Sequence, residues 1–152
     1  MTVPVGFETN LLTGIATLLE AHSPLGATFN TSGAYTVLQT GIFIGNIQQN
    51  PDRIIALDAY GVSDDPSLSD SVTGVQIRCR WGGSDKRPVF DLDAAIFDYL
   101  HAKTGLSLST GVWLVQILRS SGPASLGQDG NGRWSVVSNY YASAWRPSAN
   151  RT

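Results

Sequence analysis

The chain has 152 residues, of which 42% are hydrophobic and 14% charged, so it is long enough to bury the core of one domain spanning residues 1–152. Ten basic residues against twelve acidic ones give a net charge of −2. This balance argues against a protein whose main task is to bind nucleic acid or an anionic membrane, because both usually require a basic surplus. The four tryptophans favour a surface that contacts other proteins.

The spacing of apolar residues predicts a first helix, and the loss of that spacing predicts a loop after it. Apolar residues at helical spacing predict an amphipathic helix over residues 6–22; they are Phe7, Leu11, Ile15, Leu18 and Leu19. Ser23 and Pro24 end this helix, because proline cannot continue the backbone hydrogen bonds. Residues 25–39 are rich in Gly, Ser and Thr without a period, so a long loop is expected there.

Three strands are predicted next. Residues 41–45 and 53–60 are short apolar runs, and a polar, acidic loop follows over residues 61–73. Within residues 75–81, apolar and polar residues alternate, so one face of this strand is buried and the other is polar. Cys79 falls on the buried face and is interpreted as a small core residue, whereas Arg78 and Arg80 fall on the polar face.

A second helix begins at Pro88. Its apolar stripe is formed by Val89, Leu92, Ile96 and Leu100. Asp91 and Asp93 are expected in the first turn and His101 and Lys103 in the last, where each pair complements the helix dipole, and Gly105 is expected to end the helix. The two aspartates are therefore interpreted as capping residues and not as an acid–base pair.

Two further strands are predicted in the last third of the chain. Residues 112–119 are apolar on both faces, which is typical of a central strand, and residues 133–145 form a long strand pattern. Residues 120–132 between them contain Gly122-Pro123 and Asp129-Gly130-Asn131-Gly132, which predict a turn-rich loop. The expected fold is α+β, with two helices packed on a mainly antiparallel sheet of about four to five strands.

Motifs for catalysis or cofactor binding are missing from the sequence. It has no phosphate-binding Gly-x-x-x-x-Gly-Lys segment, no Gly-x-Gly-x-x-Gly after a strand and no Gly-x-Ser-x-Gly. Residues 129–132 resemble the start of a calcium loop, but Arg133 stands where the next oxygen ligand is needed. One Cys and two distant His make a poor zinc site. We therefore expect no enzyme, no cofactor and no metal.

Signals for export and membrane insertion are also missing. The first basic residue is Arg53, so no cationic stretch opens a secretory signal. No apolar run approaches the ~20 residues that span a bilayer. We expect a protein made in the cytosol, with no membrane partner.

The charged residues leave two interpretations open. Arginines on strands would allow a sheet to contact phosphates, although pairing with aspartates is favoured; they are Arg78, Arg80, Arg119, Arg133 and Arg146. Residues 1–100 carry a net charge of −6 and residues 101–152 a net charge of +4. This asymmetry suits a head-to-tail contact between identical subunits and is equally compatible with pairing inside one domain.

Several segments, taken together and in order, resemble one protein family. They are residues 71–80 (Ser-Val-Thr-Gly-Val-Gln-Ile-Arg-Cys-Arg), 91–101 (Asp-Leu-Asp-Ala-Ala-Ile-Phe-Asp-Tyr-Leu-His), 126–133 (Leu-Gly-Gln-Asp-Gly-Asn-Gly-Arg), 138–141 (Ser-Asn-Tyr-Tyr) and 146–151 (Arg-Pro-Ser-Ala-Asn-Arg). The family is the tail terminator (minor capsid) proteins of long-tailed, non-contractile phages, and the resemblance is strongest to those of actinobacterial phages. It covers most of the chain from residue 41 onward.

The resemblance implies a structural virion protein with the same α+β fold. Similar proteins form a hexameric ring on the head-proximal end of the tail tube, where they stop polymerisation and present the surface that joins tail to head. The implied partners are further copies of the chain, the tail tube protein and the neck or head-completion proteins. DNA would be passing cargo only. The protein would be assembled in the host cytoplasm and located in the virion.

The resemblance also suggests interface residues. Arg78, Arg80 and Arg133 are expected to bond aspartates at a subunit boundary or within the hairpin. The acidic loop 63–70 and the loop 120–132 are candidate contacts with the tube or the neck. The complete candidate set is Arg78, Arg80, Asp64, Asp65, Asp70, Asp129 and Arg133. Another neck component, such as a stopper or tail completion protein, and a nucleic-acid-binding module remain alternative functions.

Overall fold

The computed structural model describes residues 2–30, 32 and 34–151. Thr31 and Gly33, which belong to the loop predicted over residues 25–39, lie outside the described residues, as do Met1 and Thr152. The elements in chain order are α1 (Phe7–Ala21), a short 3-10 helix (Ser23–Leu25), β1 (Ala27–Phe29), β2 (Thr40–Ile44), β3 (Arg53–Asp64), β4 (Asp70–Gly82), α2 (Arg87–Leu100), β5 (Lys103–Ser107), β6 (Trp113–Gln128) and β7 (Arg133–Trp145).

The described strands form one seven-stranded sheet in the order β1-β2-β3-β4-β7-β6-β5, which curls into a half-barrel. β1 pairs with β2 and β2 with β3 in parallel, while the remaining neighbours are antiparallel. The two predicted helices are present, but the prediction of about four to five strands in an α+β fold is wrong. The described chain is mostly β, with a mixed sheet.

One missed strand, β5, begins where helix was expected. α2 ends at Leu100, and Ala102 has a φ of 69°, a left-handed conformation that turns the chain back along β6. Lys103 and Gly105 therefore lie in β5, and not in the last turn and at the end of α2. The capping interpretation of Asp91 and Asp93 is wrong as well, because α2 begins at Arg87 and has no acid in its first turn.

Other strand residues were hidden in segments that look like loops. β1 has only three residues and lies in the Gly-, Ser- and Thr-rich segment predicted as a long loop. β6 continues through most of the loop predicted over residues 120–132, with bulges in its pairing to β7. The predicted loop 61–73 shrinks to residues 65–69. In these segments backbone hydrogen bonds between neighbouring strands hold the structure. Such bonds leave no apolar periodicity in the sequence, so these strand residues were not predicted.

Both helices pack on one face of the sheet. The core joins α1 and α2 to residues that alternate along the central strands, including Val75, Ile77 and Cys79 of β4 and Tyr140 and Ala142 of β7. The prediction that Cys79 is a core residue is confirmed, since its side chain is fully buried. The opposite face of the sheet, which we call the helix-free face, carries the candidate site.

Candidate functional site

Arg80 fixes a loop onto one end of the helix-free face. It projects from β4, is only 5% exposed, and donates to the backbone carbonyl oxygens of Asp52 (3.1 Å), Gln48 (3.0 Å) and Pro51 (2.8 Å). Burial is the main cause that lowers the pKa of Arg80. The side chain therefore satisfies several carbonyl groups of the loop between β2 and β3, and it makes these bonds inside its own chain.

Arg133 joins the same loop to the β6–β7 turn. Its Nε donates to Asp129 Oδ2 at 2.9 Å, and its Nη1 donates to the carbonyl oxygen of Gln49 at 2.7 Å. Asp129 Oδ1 accepts the backbone N–H groups of Arg133 (3.0 Å) and Asn131 (2.9 Å). The Arg133 N–H is the largest cause that lowers the pKa of Asp129. The turn predicted over residues 129–132 is confirmed, and Asp129 and Arg133 close it together.

Arg78 lies beside Arg80 and Arg133 but makes weaker contacts than either of them. Its Nη2 lies 3.3 Å from Ser135 Oγ, a weak hydrogen bond, and its Nε is buried without a partner. Arg78, Arg80, Arg133 and Asp129 thus lie at one end of the sheet. Whether any of them also contacts a second molecule stays a prediction.

The acidic residues of the predicted set lie at the other end, around the β3–β4 hairpin tip. Asp64 Oδ1 accepts the Ser71 hydroxyl at 2.6 Å. Asp65 Oδ1 accepts the backbone N–H groups of Leu68 (2.7 Å) and Ser67 (2.8 Å), which lower its pKa in that order. Because β4 runs from Asp70 to Gly82, the acidic tip and the arginine cluster stand at opposite ends of this strand.

Arg151 holds the acidic tip in place and was missed in the sequence. Its Nη1 donates to the carbonyl oxygens of Asp65 (3.1 Å) and Asp70 (3.4 Å) and to Ser71 Oγ (3.3 Å). The segment 146–151 belongs to the family resemblance, but nothing in its pattern indicates which element Arg151 reaches, because the contact joins residues about eighty positions apart.

Exposed aromatic side chains on the helix-free face form two rows across the strands. In one row, Tyr60 pairs with Gly74, Gly74 with Tyr141, and Tyr141 with Leu118. In the other, Asp70 pairs with Trp145 and Trp145 with Trp113. Directly paired residues point to the same face, so each row is one continuous surface. Trp145 is 53% exposed and Trp113 is 44% exposed.

A groove of about 620 Å³ lies at the acidic end of this face. Its lining includes Val72, Ser143 and Val115, which stand between the two aromatic rows, and Asp64, Asp65, Pro66 and Asp70 at the β3–β4 hairpin. Exposed apolar surface with a polar rim is typical of a contact site for another molecule. The groove was not predicted from the sequence, because strand alternation identifies the polar face of each strand but not which residues of distant strands meet there.

Ion pairs within the chain join part of its basic last third to the acidic residues 1–100. Three basic residues of the last third pair with acids of the first part: Arg146 with Glu8 at 2.8 Å, Arg119 with Asp93 at 3.6 Å and Arg133 with Asp52 at 3.7 Å. Arg119 and Arg133 therefore have the aspartate partners that the sequence favours over phosphates, whereas Arg146 pairs with a glutamate. Arg78 and Arg80 depart from this expectation, since they bond a hydroxyl group and backbone carbonyl oxygens.

Asp93 is a buried acid of the core and not a helix cap. It is 2% exposed and accepts the hydroxyl of Ser138, which is fully buried, at 2.7 Å. Burial is the largest cause that raises the pKa of Asp93, and the Ser138 bond and Arg119 act against it. Asp93 thus ties α2 to β7 and β6.

Among residues 2–30, 32 and 34–151, no group of three or more His, Cys, Asp or Glu side chains is placed to hold a metal ion. No helix in the same range is long and apolar enough to cross a membrane.

Comparison with known proteins identifies the family. A family model described as "Bacteriophage tail terminator protein" matches residues 29–145, most of the chain. The chain therefore belongs to the bacteriophage tail terminator protein family, and it is a structural protein associated with phage tails. The resemblance to tail terminator proteins is therefore confirmed, while the assignment to non-contractile and actinobacterial phages stays a prediction.

A solved structure shares the fold. One chain of the structure titled "Virion of native gene transfer agent (GTA) particle" superimposes with a TM-score of 0.63 at 15% identity, over 89% of this chain and 94% of that chain. At this identity the likeness shows the fold alone. A search of curated proteins found no match.

Proposed function

We propose that this chain caps the head-proximal end of a phage tail tube as a hexameric ring, stops tube polymerisation and provides the surface that joins tail to head. Membership of the tail terminator family over residues 29–145 carries the proposal. The likeness in fold to a chain of a gene transfer agent virion agrees with a place in a particle of this kind. The phage would be long-tailed and non-contractile, with actinobacterial relatives.

The proposed mechanism is geometric, and the chain is not an enzyme. One face of a ring matches the end of the tube, and the other lacks the edge that the next tube ring requires, so growth stops there. The partners are further copies of the chain, the tube protein and the neck proteins. The hairpin tip with Asp64, Asp65 and Asp70 and the exposed segment 120–128 of β6 are available for these contacts.

The acidic hairpin has a second use in this proposal. If the tip faces the channel of the ring, its carboxylates repel the phosphates of passing DNA, so that the DNA does not adhere to the wall. DNA is then cargo and not a ligand. Little retention of the purified protein on heparin at moderate salt is the expected result, whereas strong retention that weakens steeply with salt would favour the nucleic-acid-binding alternative.

Electron microscopy of particles made with this gene disrupted tests the proposal directly. Tails of uncontrolled length, separated from filled capsids, are expected, and a plasmid copy of the gene should restore joined particles of normal tail length. Tails of normal length that end without joining to heads would favour another neck component, such as a stopper. Normal joined particles would contradict the proposal.

A further inference from the structure

We propose that the groove on the helix-free face binds a second copy of this chain, whose basic turn at residues 84–88 brings its cations to the acidic rim. The inference rests on the proposed ring and names the surface through which neighbouring subunits meet. β4 has the acidic groove at one end and the basic turn at the other.

The rim of the groove provides exposed negative charge beside aromatic rings. Asp70 is exposed, and it accepts from Arg151 through its backbone carbonyl oxygen. Its carboxylate accepts no hydrogen bond from the described residues and forms no ion pair with them. The register places Trp145 directly beside Asp70, with Trp113 next in the row. A guanidinium or ammonium group binds favourably between a carboxylate and the face of an indole. The groove therefore suits a cation that is flanked by apolar atoms.

The turn after β4 offers this chemistry. It carries Lys86 and continues directly into Arg87 and Pro88, the first two residues of α2. The Arg87 side chain is 87% exposed and forms a bidentate pair with the exposed Asp85, with Nε 3.1 Å from Oδ1 and Nη2 2.9 Å from Oδ2. Water screens this exposed pair, and Nη1 of Arg87 donates to no described residue, so the guanidinium can bind a second carboxylate without first giving up Asp85.

The relative placement of groove and turn determines the type of contact. Asp70 begins β4, and the turn follows Gly82 at the end of the same strand, so one copy cannot fill its own groove. A contact between unlike surfaces repeats from subunit to subunit and closes into a ring when the rotation allows. Each copy would then contribute one groove and one turn to the ring.

Charge reversal in phage particles tests the inference. A phage with the gene disrupted is complemented with Asp70→Lys, with Arg87→Asp or with both changes in one chain, and joined particles are counted. Each single change places like charges together and should lower the yield at least about tenfold. The double variant restores an opposite-charge pair and should recover most of the yield. Asp98→Lys, which reverses an exposed acid on α2, is the control and should have no effect.

The remaining outcomes overturn the inference. Single variants with normal yield would show that the pair makes no required contact. Defective single variants without rescue by the double change would assign the groove to the tube or neck protein. Both results leave the proposed capping function intact, because that function is tested separately by the length of the tails made after gene disruption. Thermal unfolding of each purified variant checks the fold, and Asp70→Asn replaces Asp70→Lys if the lysine variant unfolds, with a several-fold loss expected.

Discussion

The ring of Tyr60 lies over Gly74, its direct partner on the neighbouring strand. A Cβ at residue 74 would overlap the ring carbons, so the aromatic side chain requires a glycine beneath it. The Tyr60 hydroxyl reaches past β4 to Asn139 Oδ1 on β7 at 3.4 Å. Burial, followed by the nearby Tyr141, raises the pKa of Tyr60. One glycine thus positions an aromatic side chain of the helix-free face.

Replacement of Gly74 by alanine should destabilise the protein. Because the new methyl group must displace the Tyr60 ring, we expect the free energy of unfolding to fall by about 1–3 kcal/mol, measured by urea denaturation. Gly61→Ala on β3 is the matched control, since a Cβ there meets no atom within 4 Å. In a Tyr60→Ala background the cost of Gly74→Ala should largely disappear. An equal cost in both backgrounds would contradict the proposed overlap.

Arg80 and Arg78, which the sequence treats as a pair, should differ strongly in their effect on stability. Arg80→Ala leaves buried carbonyl groups of the loop 45–52 without donors, so a loss of about 1–3 kcal/mol or more in unfolding free energy is expected. Arg78→Ala removes one long hydrogen bond and should cost about 1 kcal/mol or less. Chemical denaturation of the two variants measures the difference. Equal losses would show that Arg80 does not anchor the loop.

The contrast between Arg80 and Arg78 shows which features of the fold can be predicted from the sequence. Alternation along residues 75–81 correctly assigns Cys79 to the core and both arginines to the other face. Alternation does not predict that the loop between β2 and β3, about thirty residues earlier in the chain, covers Arg80 and leaves Arg78 at its margin. β5 was missed for a similar reason, since its pairing with β6 depends on the left-handed turn at Ala102, a conformation with no strong local signal.

Removal of Arg151 should loosen the acidic hairpin tip without unfolding the sheet. Arg151→Ala removes the donor to the carbonyl oxygens of Asp65 and Asp70, so amide hydrogen exchange over residues 65–70 should accelerate by about tenfold, while β4 beyond Thr73 stays protected. Arg87→Ala, at the opposite end of β4 and mostly exposed, is the control. Unchanged exchange at the tip would contradict the anchoring role.

The groove shows why the site was harder to predict than the fold. Its walls come from β3, β4, β6 and β7, and its rim depends on a tether from Arg151 near the end of the described chain. The sequence predicts an acidic loop around residues 64, 65 and 70 and a contact surface that uses tryptophans, but it does not predict that the two lie side by side. Register between distant strands creates the surface, and local patterns do not encode register.

Asp93 should make stability depend on pH in a direction opposite to that of most carboxylates. Burial raises its pKa in the folded state above its ordinary value of ~4, so its favourable contribution is complete below that value and is lost as pH rises through the folded pKa. Asp65 and Asp129, whose pKa values are lowered, act in the reverse sense, since their contribution is lost as pH falls. Asp65 and Asp129 are present in both the native protein and an Asp93 variant. The difference in stability between the two proteins therefore depends on the titration of Asp93 alone.

Asp93→Asn keeps an acceptor for the Ser138 hydroxyl and cannot ionise. Urea denaturation at pH 4 and pH 7 should therefore show the variant gaining stability relative to the native protein as pH rises, although it loses the 3.6 Å pairing with Arg119. Asp93→Ala is the control: it also removes the titrating group but leaves the buried Ser138 hydroxyl without an acceptor, so it should be less stable than Asp93→Asn by about 1–3 kcal/mol at both pH values. If the stability difference between Asp93→Asn and the native protein stays constant from pH 4 to pH 7, the carboxyl group does not titrate in this range, and burial does not control its charge.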